Sequence, residues 1–317
     1  MKLAYYEENN YHTEIFGAFL YYAFLNNIQI TVFNDNDKSG YISYYKNIHN
    51  FDLKMTCELE QLHTNFDYII IGTSSSINNL KCIESSVSHK LIYVCHLLED
   101  VNHSKNIVLT PLNKLNSNTH YVLPIHNFII NTVTNQKKKN IITLIGRFKD
   151  ENRNTKDIIE TITKCPDLNY EIHIYSRHKK FVPNSLFNLA KIYPARLKIY
   201  LKFNTTDLEK RIIESKFLVT LATKNSWYHK DRLSGVIPLA FNYNIPLILD
   251  DELNKIYNFT SSVVYNESLM DKIQYITNMS DNEYTELIKK TCIEKNRILK
   301  ENNLILFNLF QNNQLNF

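Results

Sequence analysis

Short apolar runs alternate with stretches of helical spacing through the first part of the chain. Leu3–Tyr6 and Gln29–Phe33 are runs that predict strands, and residues 13–27 between them repeat apolar side chains every three or four positions, as an amphipathic helix does. Asp67–Gly72 and Lys90–Cys95 predict two more strands, and the continuous β-branched run in the first indicates a strand buried on both faces. Asn106–Leu109 is a further strand candidate. Strands and helices in alternation predict a doubly wound α/β sheet.

The same alternation begins again after a polar, basic segment without a hydrophobic pattern. Residues 131–139 are therefore a predicted linker between a first Rossmann-like domain, residues 1–130, and a second one, residues 140–300. Residues 301–317 predict a terminal helix with one apolar face. In the second domain, strands are predicted at 140–147, 171–175, 197–201, 217–221, 247–249 and 262–265, and helices at 155–164, 184–191 and 207–214.

The composition agrees with a folded protein of two domains. The chain has 317 residues, 44% of them apolar, which suits two cores of ordinary size. Its net charge of +4 comes from dispersed charges of both signs and does not indicate a nucleic-acid partner. Glycine is scarce, with 5 residues, whereas Asn, Ile, Lys and Tyr are abundant. That bias indicates an AT-rich genome, such as that of a large DNA virus.

The cysteines and the lengths of the apolar runs indicate the cellular compartment in which the protein acts. Five scattered cysteines without the spacing of metal ligands predict reduced thiols. The polar start of the chain does not resemble a signal peptide, and no apolar run is long enough to span a bilayer. We therefore expect a cytoplasmic protein without a transmembrane segment, which would act in the host cytoplasm if it is viral.

A loop, a helix and a strand are predicted within residues 231–249. Asp231, Ser234 and Gly235 lie in the polar stretch that leads into the apolar run, and an Asn-Ile-Pro turn separates that run from the strand. A loop that enters a helix points unpaired N–H groups and a positive dipole end at the space in front of it. A phosphate is the expected ligand of such a place.

This stretch resembles the donor-binding signature of GT-B glycosyltransferases, particularly family 4: Glu-Gly-Phe-Gly-Leu-Pro, two variable positions, then Glu-Ala-x-Ala-x-Gly-x-Pro-Val-Ile. Asp231 stands at the first glutamate, Leu239 at the second, and Asn244 at the glycine that follows. The resemblance implies that Asp231 contacts the donor sugar, that Ser234 and Gly235 lie at its phosphates, and that the carboxylate which holds the ribose is missing at Leu239. The alternative is an ordinary amphipathic helix that leads into a buried strand.

A second segment resembles the same family. Residues 144–148, Leu-Ile-Gly-Arg-Phe, and residues 156–159, Lys-Asp-Ile-Ile, resemble the Gly-Arg-Leu … Lys-Gly-x-x-x-Leu-Ile segment that opens the second domain of family members. Gly146, Arg147 and Lys156 match in type and order, and the resemblance implies that Arg147 and Lys156 hold the donor diphosphate. Guanidinium and ammonium groups suit that role in an enzyme without a metal. The alternative is a surface arginine and a surface lysine near a helix start.

Several polar residues end predicted strands of the first domain. His96 follows the fourth predicted strand, and ligands of doubly wound sheets bind beyond the carboxyl ends of the strands. The position resembles that of a family histidine which meets the transferred sugar, although a lone histidine is more often structural. Glu7 and Thr73 are the other strand ends at this edge, whereas His120 and His126 end no strong strand.

Signatures of other enzyme classes are absent from the sequence. It contains no Walker A loop, no Gly-x-Gly-x-x-Gly, no nucleophile elbow and no His-Glu-x-x-His. Asp35-Asn36-Asp37 resembles the metal motif of GT-A transferases but follows the wrong strand, so a turn is predicted there. The aromatic and basic residues 227–230 suit stacking on a base or a sugar.

The resemblance implies a GT-B fold, in which two Rossmann-like domains face across a cleft and the last helix crosses back to the first domain. It implies transfer of a sugar from a nucleotide-sugar donor, bound by the second domain, to a hydroxyl of a glycan or other acceptor, bound by the first. Retention of configuration, catalytic roles for His96 and Asp231, and no need for a metal or other cofactor are further expectations. A degenerate module that binds a glycan or partner without catalysis is the main alternative, and another sugar-nucleotide enzyme, such as an epimerase, is the third.

Overall fold

The computed structural model of the chain divides into two units. The first unit comprises Met1–Phe128 and Arg297–Phe317, and the second comprises Ile129–Asn296. Residues 131–138 of the predicted linker and the predicted turn at Asp35-Asn36-Asp37 lie outside the described residues. The structure describes residues 1–7, 15–34, 40, 43–46, 54–56, 65–73, 87–97, 101, 103, 105–112, 118–128, 139–148 and 152–311.

The described residues of the first unit form a parallel sheet of seven strands. These strands are β1 (Lys2–Tyr6), β2 (Gln29–Phe33), β3 (Lys54–Thr56), β4 (Tyr68–Ile71), β5 (Leu91–Cys95), β6 (Asn106–Val108) and β7 (Thr119–Tyr121). Their order in the sheet is β3-β2-β1-β4-β5-β6-β7, so the chain turns back between β1 and β4. That reversal defines a doubly wound sheet. All four residues of β4 are buried, as its continuous apolar run predicts.

Helix α1 (Phe16–Leu25) lies within the stretch predicted to be helical and follows β1 in the chain. Seven of its ten residues are buried, because the apolar side chains of this helix extend around most of its surface. The ring of Tyr5 lies 4.9 Å from that of Phe16 and 5.7 Å from that of Phe19. The helix therefore covers one face of the sheet with aromatic contacts.

The second unit contains a parallel sheet of six strands in its described part. They are β8 (Lys139–Ile145), β9 (Glu171–Ser176), β10 (Leu197–Leu201), β11 (Ser215–Val219), β12 (Leu247–Asp250) and β13 (Val263–Tyr265). The order β10-β9-β8-β11-β12-β13 turns back between β8 and β11. Ligands of such sheets bind where the order reverses, and the loops after β8 and β11 carry most of the predicted site residues.

Side-chain caps set the starts of several helices in this unit, two of which begin after Asn204 and Asp250. Asn204 accepts the N–H of Asp207 at 2.8 Å, so the helix predicted from residue 207 begins at Thr205. Asp250 accepts the N–H of Leu253 at 2.9 Å. The helices are α2 (Thr155–Lys164), α3 (Asn184–Ile192), α4 (Thr205–Glu214), α5 (Val236–Asn242), α6 (Asp251–Tyr257), α7 (Leu269–Thr277) and α8 (Asp281–Gln311).

Asn244 follows α5 with a φ of 52°, in the left-handed region. The family signature has glycine at this position, and asparagine adopts the left-handed conformation more readily than most other residues. Asn244 therefore preserves the backbone turn between α5 and β12 without a glycine.

Helix α8 begins in the second unit, and its part from Arg297 onward belongs to the first. There the ring of Phe310 lies 5.3 Å from that of Tyr22 and 5.2 Å from that of Tyr68. The side-chain amide of Asn302 donates to the carbonyl of Leu123 at 2.6 Å. The end of α8 thus forms part of the core of the first unit.

Both sheets confirm the predicted doubly wound α/β architecture. Strands β3 and β7 were not predicted, because each has three residues of mixed polarity, too few to show a period of two. Among the helices that the structure describes, none is long and apolar enough to cross a membrane.

Candidate functional site

Gly146 follows β8 at the reversal of the second sheet. Its φ is +126°, a conformation that residues with a side chain rarely adopt. The N–H of Gly146 donates to the carbonyl of Tyr175 at 3.0 Å. A Cβ at this position would lie 3.6 Å from Nη2 of Arg153. The glycine therefore brings the backbone after β8 close to the guanidinium of Arg153.

Arg153 is buried immediately before α2, with 3% of its surface exposed. Its Nη1 donates to the carbonyl of Thr220 at the end of β11. Its Nη2 donates to Oγ of Ser234 at 3.3 Å and to Oη of Tyr228 at 3.4 Å, and the guanidinium carbon lies 4.5 Å from the centre of the Tyr228 ring. These contacts bring together the loops after β8 and β11 around one cation.

The charge of Arg153 has no direct counter-charge in the described part of the chain. None of the ion pairs between described residues includes this arginine, and its Nε is buried without a hydrogen-bond partner among them. A buried charge is costly unless it is paired. The guanidinium is therefore suited to receive an anion.

Sequence reasoning missed Arg153 and selected Lys156, which is exposed on the first turn of α2. In the family segment, the lysine precedes the Leu-Ile pair by five residues. Counting back from Ile158-Ile159 reaches Arg153, so the spacing within the motif contained the signal. The structure brings Arg153, and not Lys156, into contact with Ser234.

Arg147 and Asp157 also lie away from this cluster. Arg147 is exposed, and its guanidinium carbon lies 4.6 Å from the centre of the Phe181 ring. Asp157 occupies the position after Lys156 where the resemblance places a glycine near the phosphates. Its carboxylate instead accepts the N–H of Leu269 at 3.4 Å, and burial raises its pKa. Asp157 therefore ties α2 to the start of α7.

The loop before α5 is folded around the carbonyl of Trp227. This oxygen accepts the backbone N–H groups of Lys230, Asp231 and Arg232, the last two at 3.0 and 3.1 Å. The guanidinium carbon of Arg232 lies 4.1 Å from the centre of the Trp227 ring, and Nε of Arg232 lies 3.6 Å from Oδ1 of Asp231. The carboxylate of Asp231 is partly exposed beside Arg232.

The other predicted residues of this loop differ in burial. Ser234 is buried against Arg153, whereas Gly235 is exposed and a Cβ there would meet nothing within 4 Å. Leu239 is half-buried, while the other six residues of α5 are buried. Since α5 has only seven residues, its dipole is weaker than the sequence pattern suggested. Arg153 is the stronger source of positive charge here.

In the first unit, the structure brings Glu7 and Thr73 together at the carboxyl ends of β1 and β4. Oε2 of Glu7 accepts the Thr73 hydroxyl at 2.7 Å, and a Cβ at Gly72 would collide with that carboxylate. His96 follows β5 and is half-buried. His126 is buried, with Nε2 2.9 Å from Oη of Tyr45, which fits the structural role of a core histidine.

No group of three or more His, Cys, Asp or Glu residues that would hold a metal occurs among the described residues. The aspartates at positions 35 and 37 lie outside them.

Known structures share this fold, although the sequence matches no protein-family model and no curated protein. Anabaena HepE in complex with UDP-glucose has a TM-score of 0.69 at 10% identity, over 98% of this chain and 99% of that one. An α-glucosyltransferase, AGT, in complex with UDP has a TM-score of 0.63 at 12% identity, over 95% and 96%. A glycosyltransferase from Rickettsia africae has a TM-score of 0.68 at 8% identity, over 100% and 99%. The fold is that of the GT-B glycosyltransferases.

Proposed function

We propose that the protein is a glycosyltransferase that moves a sugar from a nucleoside-diphosphate sugar to an acceptor hydroxyl. The second unit binds the donor at the loops after β8 and β11, and the first unit supplies the acceptor side. Several structures of the same fold hold UDP or UDP-glucose, which makes a UDP-sugar the first donor to test.

Arg153 is the observation that carries this proposal. A buried guanidinium, fixed by Thr220, Tyr228 and Ser234 and without a counter-charge among the described residues, is suited to a diphosphate. A charge held in place before the ligand arrives stabilises the negative charge that develops on the leaving diphosphate, without reorganisation. The hydroxyl of Ser234 and the open space at Gly235 adjoin the same place.

The predicted residues outside this cluster have supporting roles in the proposed reaction. The partly exposed carboxylate of Asp231 is suited to stabilise positive charge on the sugar, and His96 is proposed to meet the transferred sugar from the first unit. Arg147 and Lys156 are exposed cations that attract the donor from solution. We propose retention of configuration and a reaction that requires no metal or other cofactor.

Replacing Arg153 by Gln tests the donor site. The variant is expected to bind both UDP and inorganic pyrophosphate more weakly by about 1.5–3 kcal/mol, because it loses charge-assisted hydrogen bonds to the shared diphosphate. Isothermal titration calorimetry of wild-type protein and variant measures the change. Lys156→Ala tests the role assigned from sequence and is expected to have a smaller effect, since its side chain is exposed.

Arg297→Gln is the matched control, because Arg297 forms an exposed ion pair with Glu301 in α8. Thermal unfolding of each variant establishes that it is folded. Unchanged affinity for both ligands in folded Arg153→Gln would contradict the donor assignment.

The acceptor is proposed to be a glycan or another molecule with a free hydroxyl, and the protein is proposed to work in the cytoplasm. One structure of the same fold is an α-glucosyltransferase with UDP-glucose and DNA bound. An oligonucleotide therefore belongs in an acceptor screen beside oligosaccharides, although the dispersed charges of this chain do not favour it.

A second candidate function is a module that binds a sugar nucleotide or glycan without catalysis. The half-buried Leu239 favours it, since an apolar side chain provides no hydrogen bond to a ribose. Release of UDP from UDP-glucose, measured with and without EDTA, separates the two functions. Binding without any turnover across the acceptor screen would favour the module, and loss of turnover in EDTA would contradict a metal-free reaction.

A further inference from the structure

A buried chain of hydrogen bonds links the loop before α5 to the end of β12. Oγ of Ser226 lies 3.1 Å from Nδ1 of His229, and Nε2 of His229 lies 2.8 Å from Oδ1 of Asp250. The same carboxylate oxygen accepts the N–H of Leu253 at 2.9 Å. A carboxylate only accepts hydrogen bonds, so Nε2 of His229 donates to Oδ1 of Asp250.

These residue types form the catalytic triad of many hydrolases, but burial excludes that chemistry here. Ser226 is 3% exposed, and the side chain of His229 is 8% exposed. A substrate carbonyl therefore has no access to the serine oxygen. The chain of hydrogen bonds must act on the protein itself.

Ser226 precedes a single 3₁₀ turn, Trp227–His229, of which His229 is the last residue. Besides the side-chain contact, the N–H of His229 donates to the carbonyl of Ser226 at 3.1 Å. The turn contains Tyr228, whose hydroxyl and ring both contact Arg153. The position of the Tyr228 ring thus depends on where His229 is held, and Asp250 at the start of α6 holds it.

The turn is more strongly fixed than an exposed loop requires. Trp227 is 47% exposed although its carbonyl accepts three backbone N–H groups. Buried polar groups are costly unless they are hydrogen-bonded, and here Oγ of Ser226, both ring nitrogens of His229 and Oδ1 of Asp250 all take part in hydrogen bonds. The hydrogen bonds therefore maintain a geometry rather than a hydrophobic core.

We propose that His229 is a positioning residue of the donor site: its hydrogen bonds to Ser226 and Asp250 fix the turn that holds Tyr228 against Arg153. The proposal rests on the proposed function, in which Arg153 binds the donor diphosphate. His229 does not touch the donor. It acts through Tyr228, which limits the positions open to the guanidinium.

A double-mutant cycle on the full chain tests this role, with UDP affinity measured by calorimetry. His229→Ala and Tyr228→Ala are each expected to weaken UDP binding by about tenfold, the size of effect that follows when a hydrogen-bonded support is lost. Because His229 acts through Tyr228, the double variant is expected to bind no more weakly than Tyr228→Ala alone. His229→Gln keeps an N–H that reaches Asp250 and is expected to recover most of the affinity.

Trp227, the single tryptophan of the chain, provides a readout that does not need the ligand. Its emission is expected to shift in His229→Ala and to return towards the wild-type spectrum in His229→Gln. Ser226→Ala removes only a hydroxyl and is the milder variant if His229→Ala does not fold, with a smaller loss of UDP affinity in the same direction. His89→Gln, at an exposed histidine of the first unit, is the control and is expected to change neither measurement.

The outcomes separate this role from the function on which it rests. If the wild-type protein does not bind UDP or a UDP-sugar, the proposed function fails and the role of His229 fails with it. If the wild-type protein binds UDP and folded His229→Ala binds it equally well, only the role of His229 is overturned. Additive losses in the double variant would likewise overturn it, because the two residues would then act independently.

Discussion

The two glycines of the candidate site, Gly146 and Gly235, differ in their backbone conformation. Gly146 has a φ of +126°, whereas Gly235 has a φ of −58° and open space around it. Gly146→Ala is expected to destabilise the protein by about 1 kcal/mol or more, because alanine rarely adopts that conformation. Gly235→Ala is expected to be neutral or to stabilise by about 0.4–1 kcal/mol through the unfolded state. Chemical denaturation of the two variants measures both, and equal effects would contradict the argument.

A second prediction at the scale of single residues concerns Leu239. It is half-buried while its neighbours in α5 are buried, so Leu239→Glu is expected to fold, with a loss of stability below about 1.5 kcal/mol. If the position faces the ribose, the new carboxylate is expected to leave UDP binding unchanged or to tighten it. Calorimetry and thermal unfolding measure the two effects. A loss of several kcal/mol in the free energy of unfolding would mean that Leu239 belongs to the core. It would also contradict the alignment of Leu239 with the second glutamate of the motif.

At the scale of single residues, position within a motif identified more of the candidate site than residue type alone did. Gly146, Ser234 and Asp231 were selected by their place in a motif, and two of them lie within the cluster around Arg153. Arg153 itself was missed because Lys156 offered the expected residue type three positions later. Arg153 is buried whereas Lys156 is exposed. This difference depends on tertiary packing, which a linear pattern does not contain.

The contact between α5 and α8 contains a buried lysine with a consequence for stability. Nζ of Lys295 donates to the carbonyl of Asn242 at 3.1 Å, at the end of α5. Burial lowers the pKa of Lys295 to about 8, below its usual value of 10.5. Between these two values the unfolded chain binds the proton and the folded chain does not. The free energy of unfolding therefore rises with pH through this window, and the stabilising contribution is absent below it.

Lys295→Met is expected to flatten that dependence. From about pH 8 to 10.5, the wild-type protein should gain up to about 1.4 kcal/mol per pH unit relative to the variant, since one fewer proton is bound in the folded state. Urea unfolding at several pH values measures the difference. Lys289→Met, at an exposed lysine paired with Glu286, is the control and should show no such slope. Parallel curves for wild type and Lys295→Met would contradict the lowered pKa.

Helices and strands were predictable from the sequence where the hydrophobic pattern was long enough to show its period. The four residues of β4 and the five of β5 are continuously apolar, and both lie at the centre of the first sheet. Strands β3 and β7 have three residues each and pair near the two ends of the sheet, where burial imposes less of a pattern. The start of α4 depended on a capping asparagine at position 204 rather than on hydrophobic spacing.

For the whole molecule, the single tryptophan reports on one unit only. Trp227 belongs to the second unit, so its fluorescence follows the unfolding of that unit. UDP at a hundred times its dissociation constant is expected to stabilise the second unit by about 2.7 kcal/mol, since the ligand binds the folded state only. Denaturant unfolding with and without UDP measures this shift, and uridine, which lacks the phosphates, is the control. Equal stabilisation by uridine would contradict a site that binds through the diphosphate.

The overall class was predictable because it rests on two repeated patterns, each with strands and helices in alternation. The residues that decide function are fewer and lie in loops, where pattern carries less information. Arg153, Asp231 and His96 are therefore the positions at which substitution tests the proposed donor, acceptor and stereochemistry.

Helix α8 makes the first unit discontinuous in the chain, and this has a consequence during synthesis on the ribosome. Phe310 lies between Tyr22 and Tyr68 in the first core, yet it leaves the ribosome only after the whole second unit. At bacterial or eukaryotic elongation rates, Met1–Phe128 waits on the order of ten seconds or more for this last segment. The unit translated second is therefore the first able to complete its core, and the nascent first unit keeps apolar surface that chaperones recognise until α8 has emerged.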